Sequence, residues 1–175
     1  MKQSTIIMLC GLPGCGKSTF SAVFRKSHPS YFILNKDMIR KMYFNSWWDP
    51  KREKEVWSAA NLLFEDLLYK RKNMIIDETC CTKHIRAGYL NQAREYYNNN
   101  RDNHRYKTIC VHYDLDYLIC KDRNRGRDKQ VDSWVIDKID RVFEPPTKDE
   151  GFYRIIRVKS ANQVQTVINK VLAVL

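Results

Sequence analysis

The amino-acid sequence predicts an α/β fold, a doubly wound parallel sheet of five strands, on three observations. Five short apolar runs alternate with stretches of helical period, as a sheet covered on both faces requires. A glycine-rich nonapeptide, Gly11-Leu12-Pro13-Gly14-Cys15-Gly16-Lys17-Ser18-Thr19, joins the first apolar run to the first helical stretch. The chain of 175 residues is long enough to bury one such core without disulfides, so residues 1–175 are expected to form a single domain.

The strands are expected at 5–10, 31–34, 74–77, 106–113 and 153–158, all short and apolar. A helix is expected over 20–26. Asp49-Pro50 supplies a capping acid and then proline at a first helical position, ahead of an apolar face of Val56, Ala60, Leu63, Phe64, Leu67 and Leu68. Val131, Val135, Ile136, Ile139, Val142 and Phe143 mark a second face. Ser160 and Gln163 read as a capping box before Val164, Val167, Ile168, Val171 and Leu172. The aromatic segment 42–50 and the turn 145–151 read as irregular.

The nonapeptide is G-x-x-x-x-G-K-[ST] in strand-loop-helix context, a P-loop. Its glycines let backbone N–H groups close on a phosphate, and the following helix aims its N-terminus at the same anion. ATP or another NTP is the expected ligand of Gly14, Cys15, Gly16, Lys17, Ser18 and Thr19, with Lys17 on the β/γ-phosphates and Ser18 on Mg²⁺.

There are 31 Lys and Arg against 20 Asp and Glu, a net charge of +11, which suits a polyanionic partner. Six cysteines lack metal-site spacing, and Cys10 and Cys110 lie in strand-like runs, so all are expected as reduced thiols in a cytoplasmic protein. The run 5–10 is too short to span a membrane and leads straight into the P-loop, unlike a signal peptide. Neither membrane contact nor an obligate protein partner is expected.

A kinase needs a carboxylate for the acceptor's proton, cations for the γ-phosphoryl and a grip on the acceptor. Asp37, in Asn35-Lys36-Asp37-Met38-Ile39-Arg40, follows the second strand, and a helix there sets it beside Arg40. A carboxylate can take a hydroxyl proton and an arginine can hold a phosphate; the alternative is a capping aspartate with an exposed arginine. Asp77 closes the third strand in the manner of a carboxylate near Mg²⁺, with Glu78 as its substitute. Five basic residues in the nine positions 121–129, Arg123 and Arg127 among them, read as an arginine-bearing lid or else a solvated turn. Trp47 and Trp48, with Tyr43, Phe44 and Lys41, could stack bases, but are expected to pack their loop against the body. Asp114-Leu115-Asp116-Tyr117-Leu118 mimics a phosphatase nucleophile motif with Leu118 at the wrong place, and Asp114 reads as a helix cap.

With these residues the chain resembles the kinase domain of phage-type polynucleotide 5′-hydroxyl kinases, through the P-loop, Asn35-Lys36-Asp37 with Arg40, Arg123-Asn124-x-x-Arg127, and Phe143-Glu144-Pro145-Pro146 ahead of Glu150-Gly151-Phe152. The resemblance implies a P-loop kinase-like fold with an arginine-bearing lid. It also implies Asp37 as general base, Arg40 on the phosphate beside the acceptor hydroxyl, Arg127 on the donor phosphates with Arg123 in support, and Asp77 at the site. Asp77-Glu78-Thr79 departs from the family's common Asp-x-Asn. Larger members carry a phosphatase domain that this sequence lacks, which implies 5′ phosphorylation without 3′ healing. The expected function is ATP- and Mg²⁺-dependent phosphorylation of DNA or RNA 5′-hydroxyl ends. The alternatives are a kinase for a modified base, a tRNA-linked group or a metabolite, and a nucleic-acid-binding NTPase.

Overall fold

In a computed structural model, which describes residues 3–99, 104–127, 129–160 and 163–175, five parallel strands lie in the order β2-β3-β1-β4-β5. They are β1 (Gln3–Cys10), β2 (Tyr31–Leu34), β3 (Asn73–Ile76), β4 (Arg105–Tyr113) and β5 (Arg154–Val158). The helices are α1 (Lys17–Ser27), α2 (Lys36–Phe44), α3 (Glu53–Tyr69), α4 (Lys83–Asn99), α5 (Tyr117–Arg125), α6 (Ser133–Arg141) and α7 (Val164–Leu172).

The two-residue period of the central strand builds two cores. Ile6, Met8 and Cys10 face α3 and α4, against Val56, Ala60, Phe64 and Leu90. Ile7 and Leu9 face α1 and α7, against Phe20, Phe24, Val167 and Val171. The register follows, with Ile7 opposite Ile75 on one side and Ile109 on the other. The chain runs from β1 to β2 and β3 on one side of it and then crosses to β4 and β5 on the other, so the order reverses at β1 and the crevice for a ligand opens at its carboxyl end.

The predicted fold class and all five strands hold, within about two residues at their ends. Asp77 lies one residue past β3. Several local readings change. Leu63 lies on the flank of the α3 stripe and is 40% exposed. Of the second apolar face only Ile136 is fully buried. Ser160 does not cap α7: the N-cap is Gln163, with no side-chain bond. The reciprocal cap occurs instead at Thr147, whose N–H donates to Glu150 Oε1 at 2.8 Å. Asp114 is not a helix cap either; its N–H donates to Val158 O, and Asp116 caps α5 by accepting from Leu118 N at 2.8 Å. The aromatic segment is irregular only beyond Phe44, where Asn45 turns left-handed and ends α2. All six cysteines are buried free thiols. Among the described residues no helix is long and apolar enough to cross a membrane.

Helix α4 has no counterpart in the sequence-based reading, because a buried arginine interrupts its apolar stripe. Arg86 is fully buried and donates to both oxygens of Glu150 (2.7 and 2.9 Å), to Cys80 O (2.9 Å) and to Glu144 O (2.8 Å). It binds α4 to the end of β3 and to the segment before β5. Arg86→Ala strands the Glu150 carboxylate, and urea unfolding should show a loss of about 3–5 kcal/mol.

His112 on β4 is buried against Phe143, and burial pushes its pKa down to about 4. The unfolded chain, with imidazole near 6.5, binds the proton first. This contribution is therefore complete above about pH 6.5 and is lost as pH falls toward 4, a change of order 3 kcal/mol. Unfolding at pH 7 and pH 4.5 should show a smaller loss for His112→Phe than for the unaltered chain.

Candidate active site

The P-loop turns between β1 and α1 through three positive-φ glycines, Gly11, Gly14 and Gly16. At Gly14 the reason is also close approach, since a Cβ there would run into the Cys120 carbonyl of α5. Gly16 caps α1 in a left-handed conformation and offers no side chain, leaving the first helical N–H groups to face an anion. The Lys17 ammonium is buried and donates to Gly11 O and Leu12 O, each at 2.8 Å. Gly14, Gly16, Lys17, Ser18, Thr19, Arg123 and Arg127 line a cavity of about 140 Å³. Cys15 does not reach it: its thiol is in the core and its N–H turns to Leu12 O.

Arg123 donates to Gly14 O at 3.1 Å, which fastens α5 to the P-loop. Buried Asn124 closes the loop that follows into a ring, donating to Val131 O (2.7 Å) and accepting from Val131 N (3.1 Å). That loop carries Arg127 and Lys129; Asp128 lies outside the described residues.

Asp77 joins the P-loop to the second half of the site. Ser18 Oγ donates to its Oδ1 at 3.4 Å and Asn35 Nδ2 to its Oδ2 at 3.1 Å. Burial raises the Asp77 pKa, opposed by the charge of Lys17 and the two hydrogen bonds. Asn35 also caps α2, its Oδ1 accepting from Met38 N at 3.1 Å. Glu78 does not substitute for Asp77: it turns away to pair with Lys36 at 2.8 Å and to accept from Tyr89 OH at 3.0 Å.

On α2, Asp37 Oδ1 accepts from Arg40 Nη1 at 2.6 Å, the expected juxtaposition, and Lys129 pairs with the other Asp37 oxygen. Burial lowers the Lys129 pKa, and Asp37 partly restores it. Glu53, at the start of α3, takes the Nε–Nη2 edge of Arg40 at 2.6 and 2.7 Å. A guanidinium has five N–H donors, so one remains on each terminal nitrogen. Sequence reasoning missed Glu53, because it lies thirteen residues from Arg40 and shares no local period with it. It also missed the bridging role of Asn35; only its position as a capping residue type ahead of a helix could have signalled it. Trp47 and Trp48 do not pack away as expected; they are 41% and 59% exposed.

The fold and this site are those of a P-loop nucleotide-binding domain: a parallel sheet with a glycine-rich, lysine-bearing phosphate loop at the end of β1. The chain belongs to the AAA domain family (AAA_33), whose family model matches residues 6–146. A seryl-tRNA(Sec) kinase of Methanococcus maripaludis is 29% identical over 145 residues, 81% of this chain. The chain spans about half, 53%, of that relative's length. A fungal RNA kinase superposes with a TM-score of 0.69 at 16% identity, covering 99% of this chain and 87% of that one. A gluconokinase from Sinorhizobium meliloti 1021 does so with 0.63 at 16%, covering 99% and 92%. These structural likenesses reflect the fold alone, which polymer and metabolite kinases share.

Lys17→Ala removes the cation at the cavity floor. Calorimetric titration with ATP should show weakened binding, and transfer should fall to background. Near-normal turnover in the folded variant would refute the P-loop assignment.

Proposed function

We propose that the protein moves the γ-phosphoryl group of ATP to a 5′-hydroxyl end of DNA or RNA, with Mg²⁺. The observation that carries this reading is the Asp37–Arg40 pair, tied to the P-loop through Asn35, Asp77 and Ser18. On this reading a proton acceptor and a phosphate grip share one helix whose N-cap is tied to the P-loop. Hydrolysis by water would need no such grip.

The P-loop amides and Lys17 hold the β- and γ-phosphates. Arg127, from the lid loop, neutralises charge on the transferring group, and Arg123 holds the loop to the P-loop. Arg40 uses its two remaining N–H donors on the phosphate 3′ to the acceptor nucleoside, while Glu53 holds the far edge of the guanidinium. Asp37 takes the proton of the attacking 5′-hydroxyl as its oxygen bonds to the γ-phosphorus, and the bond to the β-phosphate oxygen breaks to release ADP.

Ser18 and Asp77 suit magnesium: a hydroxyl and a carboxylate, both hard oxygen donors. Among the described residues no group of three His, Cys, Asp or Glu side chains could hold a metal ion alone. An ion held by these two together with substrate phosphates matches magnesium's habit. When bound, it would supply positive charge that offsets the charge of the phosphates.

The likeness to a seryl-tRNA(Sec) kinase favours a second reading, a hydroxyl carried on the end of a tRNA. Labelled γ-phosphate ATP offered to 5′-hydroxyl DNA, 5′-hydroxyl RNA, seryl-tRNA and nucleosides separates the two. Asp37→Asn should slow transfer to every acceptor by roughly 10²–10⁴ while ATP still binds. Arg40→Ala should harm a 3′-nucleotide acceptor more than a bare nucleoside. Equal damage to both would remove Arg40 as phosphate anchor and undercut the 5′-end assignment.

A further inference from the structure

Beside Asp37 and Arg40 lies a shelf of exposed aromatic surface that the transfer chemistry does not use. Trp48 is 59% exposed and Trp47 41%, and Tyr43 and Met42 near the end of α2 are 55% and 73% exposed. Ser46 shapes the turn between them, its Oγ donating to Trp48 O at 3.1 Å and accepting from Trp48 N at 3.3 Å. Each indole carries a cation belonging to the site. Arg40 lies 5.5 Å from the Trp48 ring centre and Lys129, the Asp37 partner, 5.0 Å from that of Trp47, with Lys41 at 5.5 Å.

Both rings are partly covered, yet each keeps a large open surface beside its cations, more than packing of the loop requires. Rings open to water next to cations are what a single-stranded nucleic acid requires: π-faces for the bases, positive charge for the phosphates. A base inside a duplex has both faces stacked already and cannot use such a shelf. The excess of 31 basic over 20 acidic residues points to the same partner chemistry rather than to a protein with a basic surface.

We infer that Trp48, supported by Trp47, is a base-stacking platform, so that the acceptor is a nucleic-acid end whose terminal bases are unpaired. This inference rests on the proposed reading of Asp37 and Arg40. It adds that specificity for single strands resides in the loop between α2 and α3, not in the phosphate contacts.

Trp48→Ala and Trp48→Phe test it in the full chain. Tryptophan fluorescence, titrated without ATP, should be quenched by a 5′-hydroxyl hexathymidylate and much less by a blunt duplex. Trp48→Ala should weaken hexathymidylate affinity by about 5- to 150-fold, as loss of one stacked base does, and Trp48→Phe should keep most of it. A hexanucleotide lacking its 5′-terminal base should bind the unaltered chain as weakly as hexathymidylate binds Trp48→Ala, and the two defects should not add. If Trp48→Ala binds hexathymidylate normally while 5′ ends are still phosphorylated, the platform is wrong and the kinase reading stands. If quenching depends on Trp48 but no 5′ end accepts phosphate, the platform stands and the acceptor hydroxyl lies elsewhere on the nucleic acid. Equal quenching by an acidic peptide, or by the blunt duplex, would overturn the platform.

Discussion

Asp77 sits one residue past β3, its carboxylate enclosed where three neighbouring strands end. The P-loop follows β1 on one side and α2 follows β2 on the other, because β3 lies between those strands in the sheet. Burying a carboxylate is costly unless donors and charge compensate it. Here Ser18 comes from the P-loop helix, Asn35 from the head of α2, and Lys17 supplies the opposing charge. Those compensations fix geometry as well as energy. Asn35 spends its amide hydrogen on Asp77 and its oxygen on the first turn of α2, so the helix bearing Asp37 and Arg40 cannot turn independently of the P-loop.

The loop after α5 is the second point of dependence. Asn124 closes it into a ring that carries Arg127 to the phosphate cavity and Lys129 to Asp37. One loop therefore touches both halves of the site, and any displacement of it acts on both. Lys129 shows the electrostatic tension: its ammonium loses water by burial and regains stability from Asp37. Arg40 is likewise balanced between Glu53 and Asp37. The site is thus an alternation of cations and carboxylates, each of which limits how the next can move.

Away from the site, Arg86 plays a similar part in the frame. A cation with no exposed surface persists because Glu150 and two carbonyls use its donors. The same Glu150 caps the turn at Thr147, so a single carboxylate holds α4 and the approach to β5 in place.

By itself the sequence determined the parts whose physics is local. Strand runs were legible because a parallel sheet covered on both faces needs unbroken apolar segments, and the P-loop because its glycines must stand at set spacing. Asp37 and Arg40 were legible because helical period brings residues three apart together. What the tertiary structure alone decided are pairings across long intervals: Glu53 on Arg40, Lys129 on Asp37, Asn35 on Asp77, Glu150 on Arg86. It also decided exposure, leaving Trp47 and Trp48 open where composition suggested packing, and replacing Asp114 by Asp116 and Ser160 by Gln163 at helix starts. Short-range periodicity is written into a chain residue by residue, whereas a polar contact across many residues exists only once the sheet order has brought its two ends together.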